Sequence, residues 1–149
     1  MPQYLLDTNI LLRLSDSNAP EHYFVLNTVD RLVLQGHSCV ITSQVLVEFW
    51  VVATRPIPVN GLGWTTEQTH IELLHLLTQF DLLPENDEIF PTWLDLVTNY
   101  QIMGKRTHDL RLIAVMLTHQ ITHLLTLNVR DFPSIPDITI VHPQDFLNS

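Results

Sequence analysis

The feature that most constrains this chain is the repeated alternation of short apolar runs with longer stretches of helical periodicity. A short run without polar alternate positions suits a strand covered on both faces, and such strands sit between layers of helices. Tyr4 to Asp7, Cys39 to Ile41, Phe80 to Leu83, His123 to Thr126 and Thr139 to Val141 are runs of this kind. Between them, Glu21 to Gln35 places Val25, Val29, Leu32 and Val33 at helical spacing, and Ser43 to Thr54, Thr66 to Leu77, Asp87 to Tyr100 and Thr107 to His119 also read as helices. Ser43, Asn86 and Thr107 supply polar side chains where three of these helices begin. The pattern predicts an α/β architecture.

At 149 residues and 46% hydrophobic, the chain is expected to fold as one domain over residues 1–149 without a disulfide or a structural metal. The segment Arg55 to Gly63 carries two prolines and two glycines and reads as a loop within that domain. The single cysteine, Cys39, lies in an apolar run and reads as a small buried hydrophobe, which suits a reducing compartment. No basic leader with an apolar core opens the chain, and no apolar run approaches the roughly 20 residues that span a bilayer. The expectation is a soluble, cytoplasmic protein with no membrane partner.

Four acidic residues stand in or beside hydrophobic elements: Asp7 closes the first run, Glu48 lies inside Val45 to Trp50, Asp109 opens a helix, and Asp131 follows Leu124 to Asn128. Desolvating a solitary carboxylate is costly, so such residues are neutralised, paired or given a cation. Each has a plainer explanation as well. Asp7 can cap a helix through Asp7-Thr8-Asn9, Asp109 can complement a helix dipole, and Asp131 can form a turn before Phe132-Pro133. Glu48 is the hardest to explain so, because its spacing from Val45 and Val52 sets it on an apolar face. Taken together the acids suggest a divalent-cation site, and hard cations such as Mg²⁺ or Mn²⁺ favour phosphate substrates. Asp7 and Thr126 both end runs, and ligands of parallel α/β sheets bind beyond the carboxyl ends of the strands.

The net charge of −9 is unusual for a nucleic-acid enzyme. The densest basic cluster, Lys105-Arg106 with His108, nevertheless lies beside Asp109, where it can hold phosphate. The acidic remainder suits a basic protein partner or solubility. His119 and His123 are four apart but straddle a helix–strand boundary, so no histidine zinc site is expected, and Trp50, Trp64 and Trp93 read as core or interface residues, with Trp64 the most exposed.

Leu5-Leu6-Asp7-Thr8-Asn9, the mid-helix Glu48, His108-Asp109 heading an apolar helix, and Thr126-Leu127-Asn128-Val129-Arg130-Asp131-Phe132 together resemble the PIN-domain family over nearly the whole chain. Within it, Ala53-Thr54-Arg55-Pro56 and Val141-His142-Pro143 are similar to the VapC-type ribonucleases of toxin–antitoxin pairs. The resemblance implies a three-layer α/β/α sandwich with a mostly parallel central sheet. It also implies Mg²⁺- or Mn²⁺-dependent endonucleolytic cleavage of RNA by a homodimer, the toxin of a type II pair, held inactive by a cognate basic antitoxin.

Carried over residue by residue, the resemblance makes Asp7 and Asp109 the principal metal ligands and Glu48 the third catalytic acid. Thr8, Asn9 and Thr126 become the polar residues supporting them. The fourth acidic position is Asn128 here, and Asp131 is the candidate to take its place as catalytic acid and ligand. Lys105, Arg106 and His108 are the candidate substrate-binding residues. An aspartyl-phosphate phosphatase fits less well, because Asn9 stands where its second aspartate belongs. The alternative from another class is a catalytically weak PIN-like module that binds RNA or protein.

Overall fold

The computed structural model describes residues 2–146. Among these, five strands form one parallel sheet in the order β3-β2-β1-β4-β5. They are β1 (Tyr4–Leu6), β2 (Cys39–Ile41), β3 (Asp81–Leu82), β4 (His123–Leu125) and β5 (Thr139–Val141), flanked by six α-helices. The chain runs outward from β1 to β3, then returns across the sheet to β4 on the other side of β1. Tyr4 pairs with Cys39 on one side and with His123 on the other, so β1 is the centre of the sheet.

The helices are α1 (Thr8–Ser15), α2 (His22–Leu34), α3 (Ser43–Thr54), α4 (Thr66–Gln79), α5 (Ile89–Asn99) and α6 (Arg106–Thr118). Right-handed crossovers, the rule for parallel β-units, assign α1 to α4 to one face and α5 and α6 to the other. The packing follows: α1 lies against α2 and α3, α3 against α4, and α5 against α6. This is the α/β/α sandwich expected, with every strand pairing parallel.

Each central strand is buried along its length because a helical layer covers both of its faces. Leu5, Leu6, Ile41, Leu124 and Leu125 join Ile10, Leu11, Phe49, Leu110 and Ile113 from the helices in a continuous core. The edge strand β3 differs from its sequence reading. Asp81 and Leu82 are both exposed, because an edge position leaves this short strand with a neighbour on one side only. On α2, Val25, Val29 and Leu32 are buried as expected while Val33 faces outward.

The Arg55 to Gly63 segment is a loop with one 3-10 turn at Ile57–Val59. It folds back on α3 through Leu62 N–H to the Val52 carbonyl and Trp64 N–H to the Ala53 carbonyl, at 3.1 and 2.9 Å. Gly61 permits the close approach, since a Cβ there would lie 1.9 Å from the Arg55 carbonyl oxygen. Trp64 is accordingly half-buried rather than exposed, with its ring edge-on to Phe49 at 6.1 Å between centroids. Cys39 is buried, and burial pushes its thiol up to about 11. No helix of the described residues is long and apolar enough to cross a membrane.

Candidate active site

The direction of the chain's excursions reverses between β1 and β4, which opens a crevice at the carboxyl ends of these neighbouring strands. Asp7 follows β1 at that edge, and Thr126 follows β4. Backbone pairing continues just past the strands, with Asp7 N–H donating to the Leu125 carbonyl at 3.0 Å and Thr126 N–H to the Val141 carbonyl at 3.0 Å. Strand ends thus fix both residues before any side-chain interaction forms.

Asp7 leads straight from β1 into α1 and serves as its N-cap, Oδ1 accepting from the Thr8 N–H at 2.7 Å. Its Oδ2 accepts from Thr126 Oγ1 at 2.8 Å and faces Asn9 Nδ2 at 3.4 Å. Asn9 also donates to Thr126 Oγ1 at 3.1 Å and accepts the Leu127 N–H at 3.0 Å, which ties the start of α1 to the segment after β4. The plain capping role and the site role of Asp7 therefore belong to one geometry.

Glu48 projects from α3 toward the same place. Its Oε2 accepts from Thr8 Oγ1 at 2.9 Å, and its Oε1 accepts from Gln44 Nε2, one helical turn earlier, at 3.0 Å. A half-buried carboxylate on an apolar helix thus has two donors. Asp109 stands half-buried in the first turn of α6. Asp131 is exposed at the end of a 3-10 turn, Val129–Asp131. Asn128 is exposed at the start of that turn, and its N–H donates to Thr126 Oγ1 at 3.0 Å.

Asp7 and Asp109 each feel the negative charge of other acids. Burial raises the Asp7 carboxyl above its ordinary range; hydrogen bonds from Thr126 and Thr8 oppose the rise, and the charges of Glu48 and Asp131 add to it. Asp109 is pushed up to about 6, by burial first and then by Asp7, Asp131 and Glu48, with Arg106 the opposing cation. Carboxylates without a soft ligand are of the chemical type that suits a hard divalent cation, and a positive charge beside Asp7 and Asp109 would relieve the repulsion each feels. Among the described residues, no group of three or more His, Cys, Asp or Glu side chains is arranged so that it could hold a metal ion. All four oxygens of Asp7 and Glu48 instead face donors of the protein.

The basic residues form the rim. Lys105 and His108 are exposed, while the Arg106 guanidinium reaches the backbone carbonyl of Asp131 at 3.3 Å through Nε and Nη2. Arg106 is already helical, and Thr107 turns its hydroxyl back to the Gly104 carbonyl at 2.7 Å. The α3 helix begins at Ser43 as expected, but Thr42 rather than Ser43 caps it, its Oγ1 accepting from the Val45 N–H at 3.2 Å.

Sequence reasoning missed Gln44, Arg111 and Glu85. Gln44 Nε2 bonds the His108 carbonyl at 2.7 Å as well as Glu48, and its Oε1 accepts from Arg111 at 3.3 Å. Arg111 bonds Glu85 at 3.0 Å, and Glu85 accepts from Ser43 Oγ at 2.7 Å. The four-residue spacing of Gln44 and Glu48, which sets them on one helix face, was the signal available for the first of these.

A search of curated proteins returns no match. Among solved structures, the chain is similar to the VapBC2 structure from Rickettsia felis bound to a promoter DNA fragment, with a TM-score of 0.71 at 20% identity over 93% of this chain and 97% of the other. The VapBC-1 structure from nontypeable Haemophilus influenzae gives 0.67 at 20% identity, over 95% and 98%. The sarcin–ricin loop cleaving toxin VapC20 of Mycobacterium tuberculosis gives 0.57 at 16% identity, over 82% and 87%. These identities establish a shared fold. The sequence pattern of the PIN domain itself matches residues 4–137, and with the parallel order of the sheet and the acidic residues at its carboxyl edge, that match makes the chain a member of the PIN-domain family.

Proposed function

We propose that this protein is a Mg²⁺- or Mn²⁺-dependent endoribonuclease, the toxin of a toxin–antitoxin pair, active as a homodimer and restrained by a basic antitoxin. The observation that carries the proposal is geometric: Thr8 joins Asp7 to Glu48, donating its N–H to the first and its hydroxyl to the second, while Thr126 holds Asp7 at the ends of β1 and β4, with Asp109 and Asp131 near enough for their charges to bear on the site. The likeness to VapBC structures and to an RNA-cleaving VapC toxin supports the direction of the reading. The net charge of −9 suits a basic protein partner.

A divalent cation held by Asp7, Asp109, Glu48 and Asp131 supplies Lewis acidity toward a phosphate oxygen and a lowered pKa for water. The chain's own residues do the positioning. Thr8, Asn9 and Thr126 fix the Asp7 carboxylate at the strand end, so it needs little reorganisation when substrate arrives. Glu48, aimed by Thr8 and Gln44, orients the attacking water and takes its proton. Lys105, Arg106 and His108 hold phosphates flanking the scissile bond, Lys105 and His108 as exposed point donors and Arg106 as a planar fork.

The test is cleavage of a mixed pool of structured and single-stranded RNA by purified protein with Mg²⁺, Mn²⁺ or chelator, beside the Asp7→Asn variant. Metal-dependent products that the variant does not make are expected. Equal products from both proteins would assign any cleavage to a contaminant and remove the proposal.

A further inference from the structure

We propose that the cavity between α5 and α6 is a stacking subsite for a base of single-stranded RNA next to the scissile phosphate, an inference that rests on the nuclease reading above. The cavity holds about 400 Å³ and is lined by Phe90, Trp93, Thr107, His108 and Arg111. Asp109 lies in the same helical turn of α6, between His108 and Arg111, although its own side chain is not part of the cavity wall.

Three features identify the occupant. First, the walls pair aromatic faces with cationic and hydrogen-bonding groups. Phe90 and Trp93 lie 5.7 Å apart between ring centroids at 31°, and Phe90 is 65% exposed although it is a large apolar ring. Trp93 is held in place by its Nε1–H donating to the Thr107 carbonyl at 2.8 Å. Bases stack on such faces whatever their identity, and only unpaired bases are free to do so.

Second, the cavity is wired to the acids. Gln44 joins Glu48 to both the His108 carbonyl and Arg111, so a nucleotide held against Arg111 is registered against the water-orienting carboxylate. Third, the charge is local. Lys105, Arg106 and Arg111, three of the seven lysines and arginines of a chain whose net charge is −9, lie within seven residues around His108, and Arg111 lines the cavity while also bonding Glu85 at 3.0 Å. A phosphate entering beside the cavity meets Lys105 and Arg106, both exposed at the start of α6.

The experiment measures cleavage kinetics on a short single-stranded RNA in which one abasic nucleotide is moved along the strand. Phe90→Ala is expected to raise KM on the intact strand about tenfold with the loss concentrated in KM rather than kcat. Phe90→Tyr restores it, and Leu94→Ala, an exposed residue of the same helix outside the cavity, behaves as the parent. One abasic position flanking the cut is expected to weaken the parent to the level of Phe90→Ala while costing that variant nothing further. Equal KM for parent and Phe90→Ala on every strand overturns the subsite and leaves the nuclease reading intact. If the parent cleaves nothing, the nuclease reading fails instead. The subsite is then read by binding of the same strand to Asp7→Asn with and without Phe90→Ala: about tenfold weaker binding supports it and equal binding overturns it.

Discussion

Thr126 Oγ1 sits 2.8 Å from Asp7 Oδ2 and closes the seam between the ends of β1 and β4. The hydroxyl donates to Asp7 and accepts from both Asn9 Nδ2 and the Asn128 N–H, so its full hydrogen-bonding capacity is used. Thr126 is completely buried.

Replacing it isosterically isolates the hydroxyl. Thr126→Val is expected to destabilise the protein by about 1–3 kcal/mol, because the Asp7 carboxylate and two donors lose a buried partner. It also removes one of the influences that lower the Asp7 pKa, so the carboxyl rises further and cation affinity falls. Chemical denaturation with an unchanged slope and a shifted midpoint checks the first effect, and Mn²⁺ titration checks the second.

Glu48 separates chemistry from stability. Its two oxygens are held by Thr8 and Gln44, and Glu48→Gln keeps the shape while removing the charge and the proton acceptor. RNA cleavage is expected to fall by about 10²–10⁴-fold while the melting temperature of the metal-free protein holds or rises. A variant that melts early and cleaves normally would assign Glu48 to packing.

Asp109 sets a pH dependence in chelator. Its carboxyl is raised to about 6 from an ordinary value of 3.8, so between these the folded protein retains a proton that the unfolded chain has released. Stability attributable to this group is therefore greatest below about pH 4 and declines as pH rises toward about 6. Melting curves across that window are expected to show the decline in the parent and a flatter profile in Asp109→Asn. An unchanged profile in the variant would place the titration on another group.

Much of this arrangement was legible in the sequence because it is local. Apolar runs without alternation marked all five described strands, and α3 has the predicted bounds, Ser43–Thr54. Asp7 and Thr126 could be placed on one edge from their positions at the ends of runs. The helix α1 was harder to see as an element, since it begins directly after β1 with no loop, and its cap is also the acid of the site. The α5 helix starts at Ile89 rather than Asp87, because Asn86 Oδ1 captures the Glu88 N–H at 3.0 Å and completes a turn first. The bonds of Gln44 to His108 and Arg111 span 64 and 67 residues of sequence, and only the meeting of the starts of α3 and α6 at the edge of the sheet brings them together. Trp64 illustrates the same limit, its half-burial following from a loop that Gly61 lets fold back onto α3.

The core beneath the site gives a separate prediction. Phe49 is wholly buried on α3, the helix that also carries Glu48, and packs edge-on against Trp64. Phe49→Ala is expected to cost about 3–5 kcal/mol, with urea denaturation as the check. A loss below about 1 kcal/mol would mean that α3 is not anchored by this ring.

Thermal unfolding with and without Mn²⁺ for the parent, Asp7→Asn and Asp109→Asn tests whether Asp7 and Asp109 belong with Glu48 and Asp131 to one proposed cation site. At a concentration about 100 times the dissociation constant, binding contributes about 2.7 kcal/mol, which is a rise of roughly 5–10 °C for a chain of this size. The parent is expected to show that rise and both variants to lose it, with Asp109→Asn melting no lower than the parent in chelator. Equal responses to Mn²⁺ in all three proteins would contradict the account, because the ion would then be held elsewhere.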